Sequence, residues 1–150
     1  NYLKWKFALR GLFGVDFVVT PDGELGVTEV NPRYPASVEI LEYTTGTSLM
    51  REHAVCFQED LELTENDWEP AVGSVLGKGI VYSPARATVQ FQLTFDQNGY
   101  RRWPRYADVP PAGTSLERGE PVLTVFAHGG TGAECRERLM SNAASLVGGS

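Results

Sequence analysis

The stretch Gly14-Val-Asp-Phe-Val-Val-Thr-Pro-Asp-Gly-Glu-Leu-Gly-Val-Thr-Glu-Val-Asn-Pro-Arg33 decides how this chain is read. Two apolar, β-branched segments flank Pro21-Asp22-Gly23, the pattern of a β-hairpin. A two-residue turn at Asp22-Gly23, or a four-residue loop over residues 21–24, pairs Thr20 with Leu25, Val18 with Val27 and Asp16 with Glu29. Side chains alternate faces along a strand, so Asn31 then shares a face with Glu29. A three-residue loop instead shifts the register by one and sends Asp16 to the face opposite Glu29. The sequence permits both registers.

In the first register two carboxylates lie directly across a ladder, an arrangement that is destabilising by itself and that a bound cation relieves. Asp16, Glu29 and Asn31 offer only oxygen ligands, which suits a hard ion such as Mg2+, with Mn2+ as an alternative. Gly14, opposite Asn31, contributes no side chain and leaves room for a ligand. Arg33 follows just beyond, and arginine favours bidentate grips on phosphate or carboxylate. Acids, an amide and an arginine at one strand end suggest a metal–phosphate site. The plainer alternative is a surface hairpin with solvated acids.

The segments Gly11-Leu-Phe-Gly-Val-Asp-Phe-Val-Val19 and Thr28-Glu-Val-Asn-Pro-Arg33 resemble the last metal-binding strands of the ATP-grasp superfamily. The continuation Tyr34-Pro-Ala-Ser-Val-Glu-Ile-Leu-Glu42 is most similar to a branch described as ATP-dependent carboligases related to biotin carboxylase. The resemblance implies that Asp16, Glu29 and Asn31 hold the Mg2+ that bridges the phosphates of ATP, and that Arg33 steadies the phosphate or the reacting intermediate. It further implies a ligation in which a small-molecule carboxylate is phosphorylated by ATP to an acylphosphate, with release of ADP and phosphate. The biotin carboxylase branch carries a catalytic Glu four residues after its Arg. Ser37 stands there in this chain, so the resemblance does not extend to a bicarbonate-activating base. Related carboxylases often dimerise, which makes a homodimer part of the expectation.

The second half has a resemblance of its own. Asp108-Val-Pro-Pro-Ala-Gly-Thr-Ser-Leu-Glu-Arg-Gly-Glu-Pro-Val-Leu-Thr-Val-Phe-Ala127 is similar to the glycine-punctuated short strands of barrel-sandwich hybrid folds. Gly77-Lys-Gly-Ile-Val-Tyr-Ser-Pro84 fits the opening strand of such a domain. The expected fold class is therefore α+β: the end of an ATP-grasp domain, an antiparallel hairpin plus helices, over residues 1–58. An acidic linker over 59–70 follows, then a small β-rich barrel-sandwich-hybrid-like domain with a C-terminal helix over 71–150. No lysine stands at a biotinyl- or lipoyl-carrier hairpin tip, so a carrier protein is not expected.

Composition narrows the classes. The chain has 150 residues, 42% of them hydrophobic, and a net charge of −6, which argues against binding a nucleic-acid backbone. No apolar run approaches the ~18 residues of a membrane span, and no signal-peptide pattern is present. The opening Asn1-Tyr2-Leu3 is read most simply as the start of a fragment; the lid and adenine-gripping segments of the superfamily lie upstream, so these residues alone are not expected to catalyse ligation. Cys56 and Cys135 have no paired spacing, which points to a reduced, cytoplasmic protein with two buried thiols. Glu59, Asp60, Glu62, Glu65, Asp67 and Glu69 read as a solvated connector.

Coarse periodicity places the remaining elements. Residues 2–10 have helical spacing. Pro35 opens a helix reaching about Tyr43, with Gly46 as its stop. Thr47 or Ser48 caps another that carries Leu49, Met50, His53, Ala54 and Phe57. Strands are expected over 75–82, 87–95 and 121–126, with a turn at Asn98-Gly99. Thr131 and Glu134 have capping-box spacing, ahead of a docking helix with Cys135, Leu139, Met140, Ala143 and Leu146 on one side. Gly73-Ser-Val-Leu-Gly77-Lys78-Gly79 lacks the length and the Ser/Thr of a phosphate-binding P-loop. His53 and His128 read as structural, Glu39 and Glu42 as a solvated helix face, and Trp68 and Trp103 as packing residues. Two alternatives of other classes remain: a non-catalytic interaction module, and a domain that binds a structural cation such as Ca2+.

Overall fold

A computed structural model describes residues 2–58, 74–91 and 104–147. The chain divides into two units, Asn1–Asp67 and Trp68–Ser150. The described residues form a mixed α+β structure in which every strand pairing is antiparallel. The acidic segment 59–70, the turn at Asn98-Gly99, Trp68 and Trp103 lie outside the described residues.

The first unit runs α1 (Tyr2–Phe7), β1 (Gly14–Val19), β2 (Leu25–Asn31), α2 (Val38–Thr45) and α3 (Leu49–Val55). Helix α1 stops at Phe7 rather than at Arg10 because Ala8 turns to φ 50°, a conformation that ends a right-handed helix. The chain then crosses to α3. The Leu12 N–H donates to His53 Nδ1 at 2.9 Å, and Arg10 donates to the Cys56 carbonyl. Gly11 makes the approach possible. Its φ is +69°, and a Cβ there would stand 2.3 Å from His53 Nδ1. His53 is thus a structural acceptor, in its Nε2-protonated tautomer by the geometry of this bond.

Helix α2 starts at Val38, three residues later than Pro35, and Ser37 sits at its N-cap position without a side-chain cap bond. Gly46 ends it at φ 68°, its N–H donating to the Glu42 carbonyl, the left-handed stop that only glycine adopts freely. Ser48, of the two candidates, caps α3 by accepting from the Arg51 N–H. Glu42 joins in, its Oε1 accepting the Met50 N–H at 3.1 Å. The reading of Glu42 as one of a solvated pair is therefore corrected: its carboxylate holds a helix start, where the positive end of the helix dipole favours it.

The second unit contains β3 (Val75–Tyr82), β4 (Ala87–Thr88), β5 (Tyr106–Ala107), β6 (Ser115–Leu116), β7 (Pro121–Gly129) and α4 (Gly132–Val147). Its three-stranded sheet has the order β3-β7-β5, and β4 pairs β6 as a separate ribbon. Among the described residues these sheets stay open and no barrel closes. The central strand β7 is the core: Leu123, Thr124, Val125, Phe126 and Ala127 are all buried. Its consecutive residues are buried rather than alternate ones, and the one polar side chain among them, Thr124, donates its Oγ1 hydroxyl to Asp108 Oδ2 at 2.7 Å. Residues 83–89 and 113–120 extend the pairing through Ser83 N–H to Glu120 O at 2.9 Å and Val89 N–H to Thr114 O at 2.9 Å. Of the strand expected over 87–95, Ala87–Thr88 is strand, and the residues beyond position 91 lie outside the described set.

Helix α4 lies on β7 and β3. Cys135 is buried against the sheet, its Sγ donating to the Ala127 carbonyl at 3.5 Å. Met140, expected on the docking side, faces solvent: it follows the half-buried Leu139 by one residue, about 100° around the helix. The thiols also differ from expectation, for Cys56 is exposed and only Cys135 is buried. Thr131 Oγ1 accepts the Glu134 N–H at 3.2 Å. Glu134 Oε2 reaches one residue past the usual box position, to the Gly130 N–H at 2.9 Å. Gly77 and Gly79 of the rejected P-loop pattern are strand residues of β3, Gly73 lies outside the described residues, and Gly77 lies directly beneath Cys135 and Leu139.

Candidate functional site

The hairpin combines the two registers that the sequence left open. Its loop is the three-residue kind: Val19 pairs Leu25, the Thr20 N–H donates to Glu24 O at 2.9 Å, and the Gly23 N–H donates to Thr20 O at 2.9 Å. Gly23 takes φ 88°, the left-handed position that closes such loops. Thr20 Oγ1 accepts the Glu24 N–H at 2.9 Å and also holds the Asp22 carboxyl below the usual carboxylate range through a hydrogen bond. The pairings of Thr20 with Leu25 and Val18 with Val27 are corrected accordingly: Val18 pairs Gly26 and Phe17 pairs Val27.

A β-bulge then reverses the shift. Between Asp16 and Phe17 the register slips, so that Phe17 pairs Val27 while Asp16 pairs Glu29, leaving Thr28 as the extra residue on β2. Beyond the bulge Val15 pairs Val30 and Gly14 pairs Asn31. Asp16 and Glu29 are consequently direct partners across the ladder, and Asn31 Nδ2 donates to Asp16 Oδ2 at 3.3 Å. Asp16 and Glu29 are exposed and Asn31 is half-buried.

The space beside Gly14 is smaller than expected. A Cβ there would meet Pro35 Cβ at 3.4 Å and Asn31 Cβ at 3.7 Å, so the Pro35 ring, rather than an open pocket, borders that rung. Strand β2 ends in a tight turn in which the Arg33 N–H donates to Asn31 O at 2.7 Å, the three-residue geometry of a γ-turn. The Arg33 guanidinium donates through Nη1 to the Tyr34 carbonyl at 3.4 Å. The structure thus pairs Asp16 with Glu29, sets Asn31 two residues farther along β2 within bonding reach of Asp16, and places Arg33 at the strand end, turned toward the Tyr34 carbonyl.

The donor chemistry of this rung fits a hard dication. Two exposed carboxylates face each other, and Asn31 offers Asp16 the partial positive charge of an amide N–H. Rotating that amide by half a turn presents its oxygen instead, completing an all-oxygen set. Among the described residues no three His, Cys, Asp or Glu side chains gather as a metal-binding group; the Asp16–Glu29 rung has two such acids, and the third donor is the amide of Asn31, two residues along β2 from Glu29.

Tyr34, which follows Arg33, and Tyr43 sit within the influence of Glu39 and Glu42; the sequence singled out the two acids, as a solvated helix face, but not the phenols. Burial, then the charges of Glu42 and Glu39, push the Tyr34 phenol up. Burial, then Glu39, Glu42 and Tyr34, do the same for Tyr43. Their signal was available in the three- and four-residue spacings of Glu39, Glu42 and Tyr43, which place them on one side of α2.

Among the described residues no helix is long and apolar enough to cross a membrane. The chain matches no protein-family model, no curated protein and no solved structure.

Proposed function

We propose that the hairpin is the metal–phosphate corner of an ATP-dependent, Mg2+-dependent carboxylate ligase of the ATP-grasp type, related to carboligases and cytoplasmic in setting. The observation that carries this reading is the direct pairing of Asp16 with Glu29, with Asn31 bonded to Asp16 at 3.3 Å. Like charges facing across a ladder cost stability, and a bulge that restores their pairing after the loop has undone it keeps that cost in place. Such an arrangement is expected where a cation is to be held. In this reading Asp16, Glu29 and Asn31 hold Mg2+ or Mn2+, and Arg33 turns from the Tyr34 carbonyl to the transferred phosphoryl group. The ion supplies charge neutralisation for phosphoryl transfer from ATP to a small-molecule carboxylate.

Titration with Mg2+ and Mn2+, read from the amide resonances of residues 14–33, tests the reading. Shifts confined to those residues and absent from Asp16→Ala and Glu29→Ala support it. Spectra unmoved by millimolar metal favour a non-catalytic interaction module instead. That second reading has its own support in the exposure of Trp5 (83%), Leu25 (68%) and Val27 (64%), large apolar side chains of the kind that mark interaction surfaces.

A further inference from the structure

In the second unit a cleft of about 340 Å³ opens between β7, α4 and the residues Pro104 and Arg105. Two guanidiniums line it, those of Arg105 and Arg138, together with His128, Ser141 and Asn142. The protein fixes both. Arg105 Nε donates to Asn142 Oδ1 at 2.9 Å, and Asn142 Nδ2 donates to the Phe126 carbonyl at 2.9 Å, so the amide holds Arg105 at one end and the core strand at the other. Arg138 Nη1 donates to the His128 carbonyl at 3.0 Å. Each anchor uses a fraction of the five N–H donors that a guanidinium carries.

Neither guanidinium has a carboxylate partner among the described residues. Arg86, by contrast, meets Glu117 at 3.3 Å. In a chain of net charge −6, two cations without a carboxylate partner among the described residues, set at the walls of one cleft, favour the approach of anions. Their forks are pre-oriented, which lowers the entropy cost of gripping a ligand. We propose that this cleft binds the oxyanion group, carboxylate or phosphate, of a small molecule, with Arg105 and Arg138 as its two donors and Asn142 as the residue that positions Arg105. All of its lining residues belong to the second unit.

The test uses the whole 150-residue chain, titrated at constant ionic strength with inorganic phosphate and, separately, with succinate. Saturating amide shifts confined to Arg105, Phe126, His128, Arg138 and Asn142 are expected with at least one anion. Tighter saturation by phosphate assigns a tetrahedral group, and tighter saturation by succinate a planar carboxylate. Arg105→Gln and Arg138→Gln each weaken binding about tenfold or more, the worth of a lost charge-assisted hydrogen bond. Arg86→Gln leaves the affinity unchanged. The wild-type shift map decides the matter even where a variant loses its helical circular dichroism. Absence of saturation with both anions at tens of millimolar, shifts spread over the chain, or full affinity in the double variant overturns the proposal.

Discussion

Replacing Gly77 by alanine sets a methyl group 2.7 Å from Cys135 Sγ and 2.8 Å from Leu139 Cδ1. Comfortable contacts of this kind lie near ~3.5–4.0 Å, so the overlap is about 1 Å on two side chains of one helix. Cys135 is 3% exposed and has no open side to move into, which leaves a lift of α4 as the response. Overpacking of this kind costs ~1–3 kcal/mol, while the stiffer unfolded chain returns ~0.4–1 kcal/mol. The net expectation is a loss of about 1–2 kcal/mol. Gly79→Ala on the same strand is the control, because its methyl group meets Val125 Cγ2 at an ordinary 3.5 Å; it is expected to be neutral or to stabilise by ~0.5 kcal/mol. Urea unfolding followed by far-ultraviolet circular dichroism measures both. A Cys135→Ala background removes the nearer obstacle and shrinks the cost of the Gly77 substitution. Equal stability of the two glycine variants, or an undiminished cost in the Cys135→Ala background, refutes the packing argument.

Three further outcomes are expected. Thr131→Ala removes the hydroxyl that accepts the Glu134 N–H and destabilises α4 by ~1 kcal/mol, measured by the same unfolding transition. The Tyr43 phenol is raised above its usual ~10 by burial first and then by Glu39 and Glu42. A raised folded value favours folding below the unfolded pKa and loses that contribution as pH rises through the folded one. Glu42→Gln keeps the oxygen that accepts the Met50 N–H, so it lowers the phenol titration seen in the ultraviolet without uncapping α3; an unmoved titration contradicts the charge argument. In the native protein a small thiol reagent modifies the exposed Cys56 and spares Cys135, whose thiol burial pushes up against the opposing pull of Arg138. Equal rates at the two thiols sink that assignment.

What the sequence disclosed was local. Gly46 as a helix stop, Ser48 and Thr131 as helix caps, and the strand Val75–Tyr82 all follow from residue types acting within a few positions. The pairing of Asp16 with Glu29 was legible as one of two registers, but the bulge at Thr28 was not, since a β-branched residue is at home in regular and bulged strand alike. The three-residue loop did leave a trace, in the glycine of Pro-Asp-Gly at the left-handed position. Long-range partners left none. The bond from Leu12 to His53 spans 41 positions and that from Arg105 to Asn142 spans 37, and each depends on how elements pack rather than on neighbours in sequence. Met140 was misplaced because one apolar step around a helix separates docking side from solvent.

The loop and the bulge of the hairpin behave like two frameshifts, the second suppressing the first. Moving Glu24 out of its pairing with Thr20 and into the loop, which sets Thr20 opposite Leu25, brings the ladder back into frame by itself and makes the bulge dispensable. Deleting Thr28 irons the ribbon flat and still leaves Asp16 beside Glu29. Single-residue insertions and deletions at the tip can therefore accumulate in descendants of this sequence while the facing acids stay together, which makes the spacing between Asp16 and Glu29 a poor guide for finding its relatives and their mutual pairing a better one.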